Sequence, residues 1–378
     1  AQNGSDFSQL TNLMDPLLEI NNHNQVVPCI AEEYGTDDNG LTWTFTLRDD
    51  AFFTDGEAVT ASDVVFTFET AKAAQSSVDL TFLEAVEAPD DTTVVFTLSR
   101  PTSTFLNTIA SVGIVPEHAY GPDYGTNPIG SGPFKFVQWN PQEQLILEAN
   151  EYYYGEVPAM KRVTIVFMDE DAALAAAQAG QVDVALTAAT LATAEVEGYR
   201  IENISTVDNR GFTLPVLPDT GEVTESGYPI GNDVTCNLEI RQAIAYAIDR
   251  QQVAEAAVNG YPTPCYSEND GMPWNNPEVA IETDVDYAKQ LLADAGWSDT
   301  DGDGIVERDG LKAEFVCLYP SGDSVRQAVA MAAAEQVRAI GINIIVEGTS
   351  WDDLAKRMFS NAVMMGWGAA NPYESYCL

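Results

Sequence analysis

The run DTDGDGIVERDG, Asp299 to Gly310, holds the densest set of groups able to do chemistry. Asp299, Asp301 and Asp303 stand at positions 1, 3 and 5 of a calcium loop, with Gly304 at position 6 for the sharp turn. Hard oxygen ligands at alternate positions can wrap one Ca²⁺, and the carbonyl of Ile305 falls at position 7. Position 12 is Gly310, so the bidentate carboxylate must come from Glu307 or Asp309. The same residues also make a good solvated turn. A filled site would be structural.

Reactive constellations are scarce. The sequence contains no GxSxG, HExxH, GxGxxG or phosphate loop. A serine or cysteine triad needs an imidazole base, and the two histidines, His23 and His118, fall in polar, loop-like segments. Asp and Glu number 58, yet no spacing among them selects a glycosidase-like pair. Five cysteines, Cys29, Cys236, Cys265, Cys317 and Cys377, form no CxxC, and with two histidines no Cys/His zinc site is expected. Cys236 and Cys265 flank a loop-rich region and suit one disulfide outside the cytoplasm; free thiols are the alternative.

Two tryptophans offer stacking surfaces. Trp351 directly follows one strand-like run, and Trp367 follows another inside GWGAANPYE. Both sit at the carboxyl ends of strands, where open α/β sheets bind ligands, and the flanking glycines of Trp367 allow close approach to the backbone. Burial in the core is the competing expectation for each. Arg210, a charge in a loop at a strand end, would meet a ligand or form a structural ion pair. Tyr152, Tyr153 and Tyr154 lie beside a turn and are expected to pack at a domain face.

The elements that position these residues alternate in type. In LTWTFTLRDDAFFTDGEAVTASDVVFTFE, Leu41 to Glu69, Trp43, Phe45 and Leu47 alternate with threonines as in a half-buried strand. Asp55-Gly56 supplies a turn, and Thr60 caps a helix with Asp63 at N3, a short-armed capping box. A strand is expected at Thr92 to Leu98, two more at Phe134–Trp139 and Gln144–Glu148, and a buried one at Arg162 to Met168. A helix from Asp169 to Gly180 and a strand from Val182 to Leu186 then complete a β-α-β unit. Val216 to Thr235, rich in Pro, Gly, Asp and Thr, reads as a connection between domains. Helices follow at Asn237–Val258, ended by Asn259-Gly260, at Asp284–Ala295 with Tyr287, Leu291 and Leu292 inward, and at Asp323–Ile340. Ile342–Val346 and Ala362–Met365 read as strands of a second α/β lobe.

Length and charge narrow the classes. A chain of 378 residues with 45% hydrophobic residues can build two or more domains, and no apolar run reaches the length of a bilayer span. Lys and Arg total 17 against those 58 acids, a formal charge of −41. Such a field repels nucleic acid and anionic headgroups, so neither is an expected partner. It suits a hydrated, monomeric surface, with steering of a cationic ligand as a second use. The first residues, AQNGSDFSQL, lack the basic and apolar regions of a signal peptide; an export signal is expected to have been removed or left out.

With these residues set out, a resemblance is clear. The Leu41–Glu69 segment resembles the signature of the family 5 extracellular solute-binding proteins, the dipeptide, oligopeptide and nickel receptors of ABC importers. PIGSGPFKFVQW, ANEYYYGEVPAMKRVTIVF, AGQVDVAL, LEIRQAIAYAIDRQQV and AKQLLADAGW match the family in order, over nearly the whole chain. The resemblance implies an α/β, two-lobed periplasmic-binding-protein-like fold (type II, cluster C) with an extra inserted domain. Domain I would comprise residues 1–30 and 134–230, domain II the insertion 31–133, and domain III residues 231–378, incomplete at its C-terminal end.

The implied function is capture of a solute between lobes and its delivery to ABC permease subunits, without catalysis or a required cofactor. The place implied is extracellular or periplasmic, with attachment to the membrane through a lipid anchor or the permease. Met14, Trp351, Trp367, Gly368 and Ala369 match cleft positions of the family. Peptide receptors resemble one another in an aspartate just after the GW motif, where Ala370 stands here, and dipeptide receptors in an arginine before the helix at Asp323, which LYPSGDS lacks. An unpaired peptide charge in a closed cleft is costly, so a free dipeptide in the usual pose is disfavoured. Trp367-Gly368-Ala369 is similar to the WGA of nickel receptors, although their arginine before Asn150 is Ala149 here. The expected ligand is therefore a nickel chelate or a short peptide. A carboxylate-pair enzyme acting on peptides or glycosides and a chaperone-like binder of unfolded segments are the alternatives.

Overall fold

The structure, a computed structural model, describes residues 13–21, 23, 25–74, 78–204, 206 and 208–368, which divide into two units between Phe167 and Met168. The first unit begins with the antiparallel pair β1 (Leu18–Ile20) and β2 (Val26–Pro28). It continues into β3 (Ala31–Thr36), β4 (Thr42–Leu47), helix α1 (Ala61–Ala73), β5 (Leu83–Glu87) and β6 (Thr93–Leu98). These four strands form one antiparallel sheet in the order β3-β4-β6-β5.

The period-two pattern in β4 works as expected: Phe45 and Leu47 are buried while Thr44 and Thr46 face water. Apolar burial drives this choice of face, each large side chain contributing about 1.5–3 kcal/mol. α1 starts at Thr60, whose backbone N–H donates to Asp63 Oδ2 at 2.9 Å, and it lays Val64 and Phe68 on the sheet. The Phe96 ring meets Phe68 edge-on at 5.0 Å and Phe45 at 5.3 Å. Helix α2 (Phe105–Ala110) closes this core with Phe105 and Ile109.

A three-stranded antiparallel sheet follows, β7 (Phe134–Asn140), β8 (Gln144–Ala149) and β9 (Arg162–Val166). Its approach is set by Gly130, where any Cβ would overlap the Leu13 carbonyl. β9 was expected to be buried through Met168. Instead it is an edge strand whose residues alternate between exposed and half-buried, and Phe167 and Met168 beyond it are exposed.

In the second unit come α3 (Glu170–Gln178), β10 (Gly211–Thr213), α4 (Leu238–Ala247), α5 (Arg250–Val258) and α6 (Val285–Asp294). The hairpin β11 (Glu307–Arg308) and β12 (Leu311–Lys312) leads into β13 (Glu314–Pro320), α7 (Ser324–Arg338), β14 (Asn343–Thr349), α8 (Trp351–Arg357) and β15 (Ala362–Met365). The sheet order is β10-β15-β13-β14, with β13 parallel to both neighbours and β10 antiparallel to β15. Phe315 and Cys317 pack with Ala330 and Val337 of α7, whereas Leu318 and Val363 pack with Leu354 of α8. Successive strand residues point to opposite faces, so α7 and α8 cover opposite sides of the sheet.

Three expectations need correction here. Val182–Leu186 forms no strand: Val184 and Leu186 are 86% and 89% exposed and have no sheet partner among the described residues. The helix expected from Asn237 to Val258 breaks at Ile248, which takes an extended backbone; Asp249 then caps α5 by accepting the Gln252 N–H at 3.0 Å. Tyr287 of α6 points outward, 44% exposed, and the core contact falls to Ala288 and Leu292. The segment 216–235 packs within the second unit, where the Thr235 hydroxyl donates to Pro215 O at 2.8 Å. Among the described residues no helix is long and apolar enough to cross a membrane.

Candidate functional site

The second unit gathers its polar loops at the carboxyl edge of its parallel strands. β13 ends at Pro320 and passes through Ser321–Asp323 into α7. Asp323 accepts the Arg326 backbone N–H at 2.8 Å and pairs with its guanidinium, which fixes that side chain in the first turn of the helix. β14 ends at Thr349, and Ser350 caps α8 by accepting the Asp353 N–H at 3.2 Å. This makes Trp351 the first helical residue, and it is 53% exposed. The Arg326 guanidinium lies 5.6 Å from the centroid of the Trp351 ring.

β15 ends at Met365, and there Gly366 passes Asn209 and Arg210 so closely that a Cβ would overlap Arg210 Nη1 and Asn209 O. The Asn209 N–H donates to the Trp367 carbonyl at 2.8 Å, tying the two segments together. Trp367 is half-buried, Gly368 is exposed, and Ala369 lies outside the described residues, as does Ala370. Arg210 forms the ion pair foreseen as its structural alternative, Nη1 to Asp208 Oδ2 at 2.6 Å.

Polar satisfaction marks this edge. Five buried side-chain atoms lack a hydrogen-bond partner among the described residues, and three of them are N–H donors here: Arg326 Nε, Arg210 Nε and Asn209 Nδ2. A buried donor without an acceptor costs about 1–3 kcal/mol. The feature of this edge open to a guest is the Arg326 guanidinium beside the exposed Trp351 ring, which can receive a carboxylate or a planar group. Arg326 and Asn209 were not foreseen from the sequence. Arg326 reads there as one more charge on a helix, and only the loop after β13 carries it to Trp351.

The other expected positions belong to other segments. Met14, in the first unit, is half-buried, and the Tyr124 hydroxyl approaches its sulfur at 3.9 Å. Beside it is a buried polar cluster: the Tyr154 hydroxyl donates to Asp15 Oδ2 at 2.5 Å and lies 3.2 Å from Cys29 Sγ. The Arg48 guanidinium stands 3.8 Å from the Tyr154 ring centroid. Burial pushes the Asp15 carboxyl up to about 7, against the opposing pull of the Tyr154 hydrogen bond, and pushes the Cys29 thiol up to about 12. The tyrosine run thus packs as expected through Tyr154, while Tyr152 is exposed. His118 binds Asp55 through Nε2 at 2.7 Å, which raises its pKa, so its imidazole is engaged with a carboxylate.

In the acidic loop, Asp299, Asp301 and Glu307 bring carboxylate oxygens within 4.8 Å of one another. Asp303 differs: its Oδ1 accepts the Ile305 N–H at 2.9 Å and its Oδ2 pairs with Lys312. The disulfide between Cys236 and Cys265 is not formed; both are free thiols, as are Cys29 and Cys317, while Cys377 lies outside the described residues.

Comparison with known proteins gives a consistent kinship. A family model described as bacterial extracellular solute-binding proteins, family 5, middle part, matches residues 25–378. Protein XP55 of Streptomyces lividans is 34% identical over 349 residues, a match covering 88% of this chain and 61% of that protein. The oligopeptide-binding protein AppA of Bacillus subtilis is 31% identical over 373 residues, covering 92% and 66%. The chain thus spans less than two thirds of the length of these relatives. Among solved structures, NikZ from Campylobacter jejuni in complex with Ni(L-His) superposes with a TM-score of 0.83 at 25% identity, covering 95% of this chain and 72% of that one. AppA from Bacillus subtilis in complex with a nonapeptide gives 0.77 at 27% identity, covering 98% and 76%.

Proposed function

Because the chain belongs to the bacterial extracellular solute-binding proteins of family 5, we propose that it captures a small solute rich in carboxylate and carbonyl oxygens outside the cytoplasm and delivers it to an ABC permease. The ligand classes are a short peptide or a nickel–amino-acid chelate, in keeping with the nonapeptide and Ni(L-His) complexes of its structural relatives. The observation that carries this reading is the Arg326 guanidinium held 5.6 Å from the ring centroid of the exposed Trp351 at the carboxyl edge of the sheet. A carboxylate on the guest can pair with the guanidinium, and a planar group can stack on the indole.

Capture requires no bond to be made or broken, so the residues needed are donors and stacking surfaces instead of a nucleophile and base. A lipid anchor keeps the protein at the membrane in this reading. Titration calorimetry separates the ligand classes: Ni²⁺ with L-histidine in one arm and a mixture of short peptides in the other. Saturable one-site heat in either arm supports the proposal. Heat in neither arm overturns it, and turnover of a peptide or glycoside would favour the enzymatic reading.

A further inference from the structure

We propose that Ser324 is the pin of a strap, residues 170–192, whose release sets how fast a guest leaves Arg326 and Trp351. The proposal rests on the solute capture put forward above and adds a positioning residue to it.

The strap has little apolar hold on the rest of the second unit. α3 has 9 residues, too few to persist as a helix by itself, and it buries only Ala176 and Ala177. Along the whole stretch the buried apolar residues are those two with Ala188 and Ala192, all alanines. A methyl group offers little area for the hydrophobic effect to act on. Val184 and Leu186, between the two ends, face water. The attachment is therefore largely polar.

Among the described residues three hydrogen bonds join the strap to the helices of the sheet, and two of them meet at one atom. Ser324 Oγ donates to Glu170 Oε2 at 2.6 Å and lies 2.7 Å from Thr190 Oγ1. A hydroxyl carries one hydrogen. Ser324 gives its own to the carboxylate, so Thr190 donates to Ser324. The relay from Thr190 through Ser324 to Glu170 fastens both ends of the strap on a single side chain. The third bond runs from Asn259 Nδ2, on the left-handed residue that ends α5, to the Ala189 carbonyl at 2.9 Å.

Ser324 is the first residue of α7, directly after the cap Asp323 and two before Arg326. The first turn of a helix has incomplete backbone hydrogen bonding, and fraying begins there. The turn that holds Arg326 beside Trp351 is thus the turn on which the strap is fastened. While the pin holds, the guanidinium keeps its place. When the pin is lost, the turn frays and a bound guest leaves faster. By linkage, a guest that orders Arg326 also tightens the strap.

The test compares the full chain with Ser324→Ala, which removes both bonds without loss of helix propensity, and with Ser324→Thr, which restores the hydroxyl. Hydrogen exchange read by mass spectrometry is run first on ligand-free protein. Amides of residues 170–192 are expected to exchange about tenfold faster in Ser324→Ala, the worth of one or two hydrogen bonds. They should return near the parent rate in Ser324→Thr, while β13 stays equally protected in all three proteins and verifies the fold. Stopped-flow displacement then uses Ni²⁺ with L-histidine or a short peptide, whichever binds the parent. Dissociation is expected to be several-fold faster in Ser324→Ala, with association unchanged and Ser324→Thr close to the parent. Equal exchange in the parent and Ser324→Ala overturns the proposal. Faster exchange with an unchanged dissociation rate also overturns it, leaving Ser324 a purely structural residue. A parent that binds neither probe overturns solute capture and the link to a guest, while the exchange arm separately decides whether Ser324 pins the strap.

Discussion

The guanidinium of Arg326 stands 5.6 Å from the Trp351 indole centroid, although the two side chains belong to helices on opposite faces of the same sheet. They meet because both lie in the first turn after a strand, β13 for one and β14 for the other. A cation beside an exposed indole makes a surface that is both stacking and hydrogen-bonding.

Arg326→Gln and Trp351→Ala are each expected to weaken binding of the Ni²⁺–histidine or peptide ligand by about ten- to a hundredfold, roughly 1.4–2.7 kcal/mol. Asp323→Asn, which releases the guanidinium from its ion pair, should alter affinity less than Arg326→Gln. Isothermal calorimetry on folded variants measures this. Unchanged affinity in both first variants would remove this edge from the binding site.

Asp15 makes the stability of the first unit depend on pH. Its carboxyl is held at about 7 in the fold against an ordinary 3.8, because burial disfavours the charge. The folded state therefore binds the extra proton between about pH 4 and pH 7, and stability falls as pH rises through that window. Above it the full cost, of order 4 kcal/mol, is present. Asp15→Asn should flatten this part of the profile and raise Tm at pH 8. Thermal melts of parent and variant from pH 4 to pH 8, taken as a difference, isolate this carboxyl from the rest.

Gly130→Ala is expected to destabilise the first unit by about 1–3 kcal/mol or more, because the added methyl meets the Leu13 carbonyl and backbone must move. Urea unfolding followed by fluorescence measures the shift in midpoint. Gly125→Ala, where a Cβ meets nothing within 4 Å, is the control and should change little.

The thiols should sort by burial. Cys29 and Cys317 have thiols pushed up to about 12 by burial, which leaves about one thiolate in ten thousand at pH 8. Both should resist alkylation until the chain is unfolded. Cys236 and Cys265 should alkylate without prior reduction. Peptide mapping by mass spectrometry distinguishes this from a Cys236–Cys265 bridge, which would appear as one linked peptide pair.

Much of the fold was legible where one short-range signal decides the matter. Thr60 and Asp63 form their capping box, and the alternation through Trp43, Phe45 and Leu47 sets the buried face of β4. The errors arise where the partner decides. VDVAL at 182–186 has strand-like residues but finds no neighbouring strand among the described residues, and propensity alone does not make a ladder. The break at Ile248 comes from Asp249 capping a new helix, while Gln336 of α7 accepts the Asp249 N–H at 2.8 Å. That long-range bond leaves no periodic trace. The site was half legible: Trp351 was placed at its strand end, yet Arg326 and Asn209 became visible only through contacts between distant segments. In the acidic loop the spacing pointed to Asp303, which pairs with Lys312, while the carboxylate oxygens that lie close together are those of Asp299, Asp301 and Glu307.

The separation between packed strands and polar loop ends in the second unit has an evolutionary corollary. Cys317, Leu318, Ala362 and Val363 are fully buried, so exchanges there endanger folding. Trp351 and Gly368 are exposed just past the strand termini, where replacement leaves the interior untouched. Under the proposed solute capture, preference for one cargo over another would drift through single-codon changes at the rim while the scaffold is inherited intact.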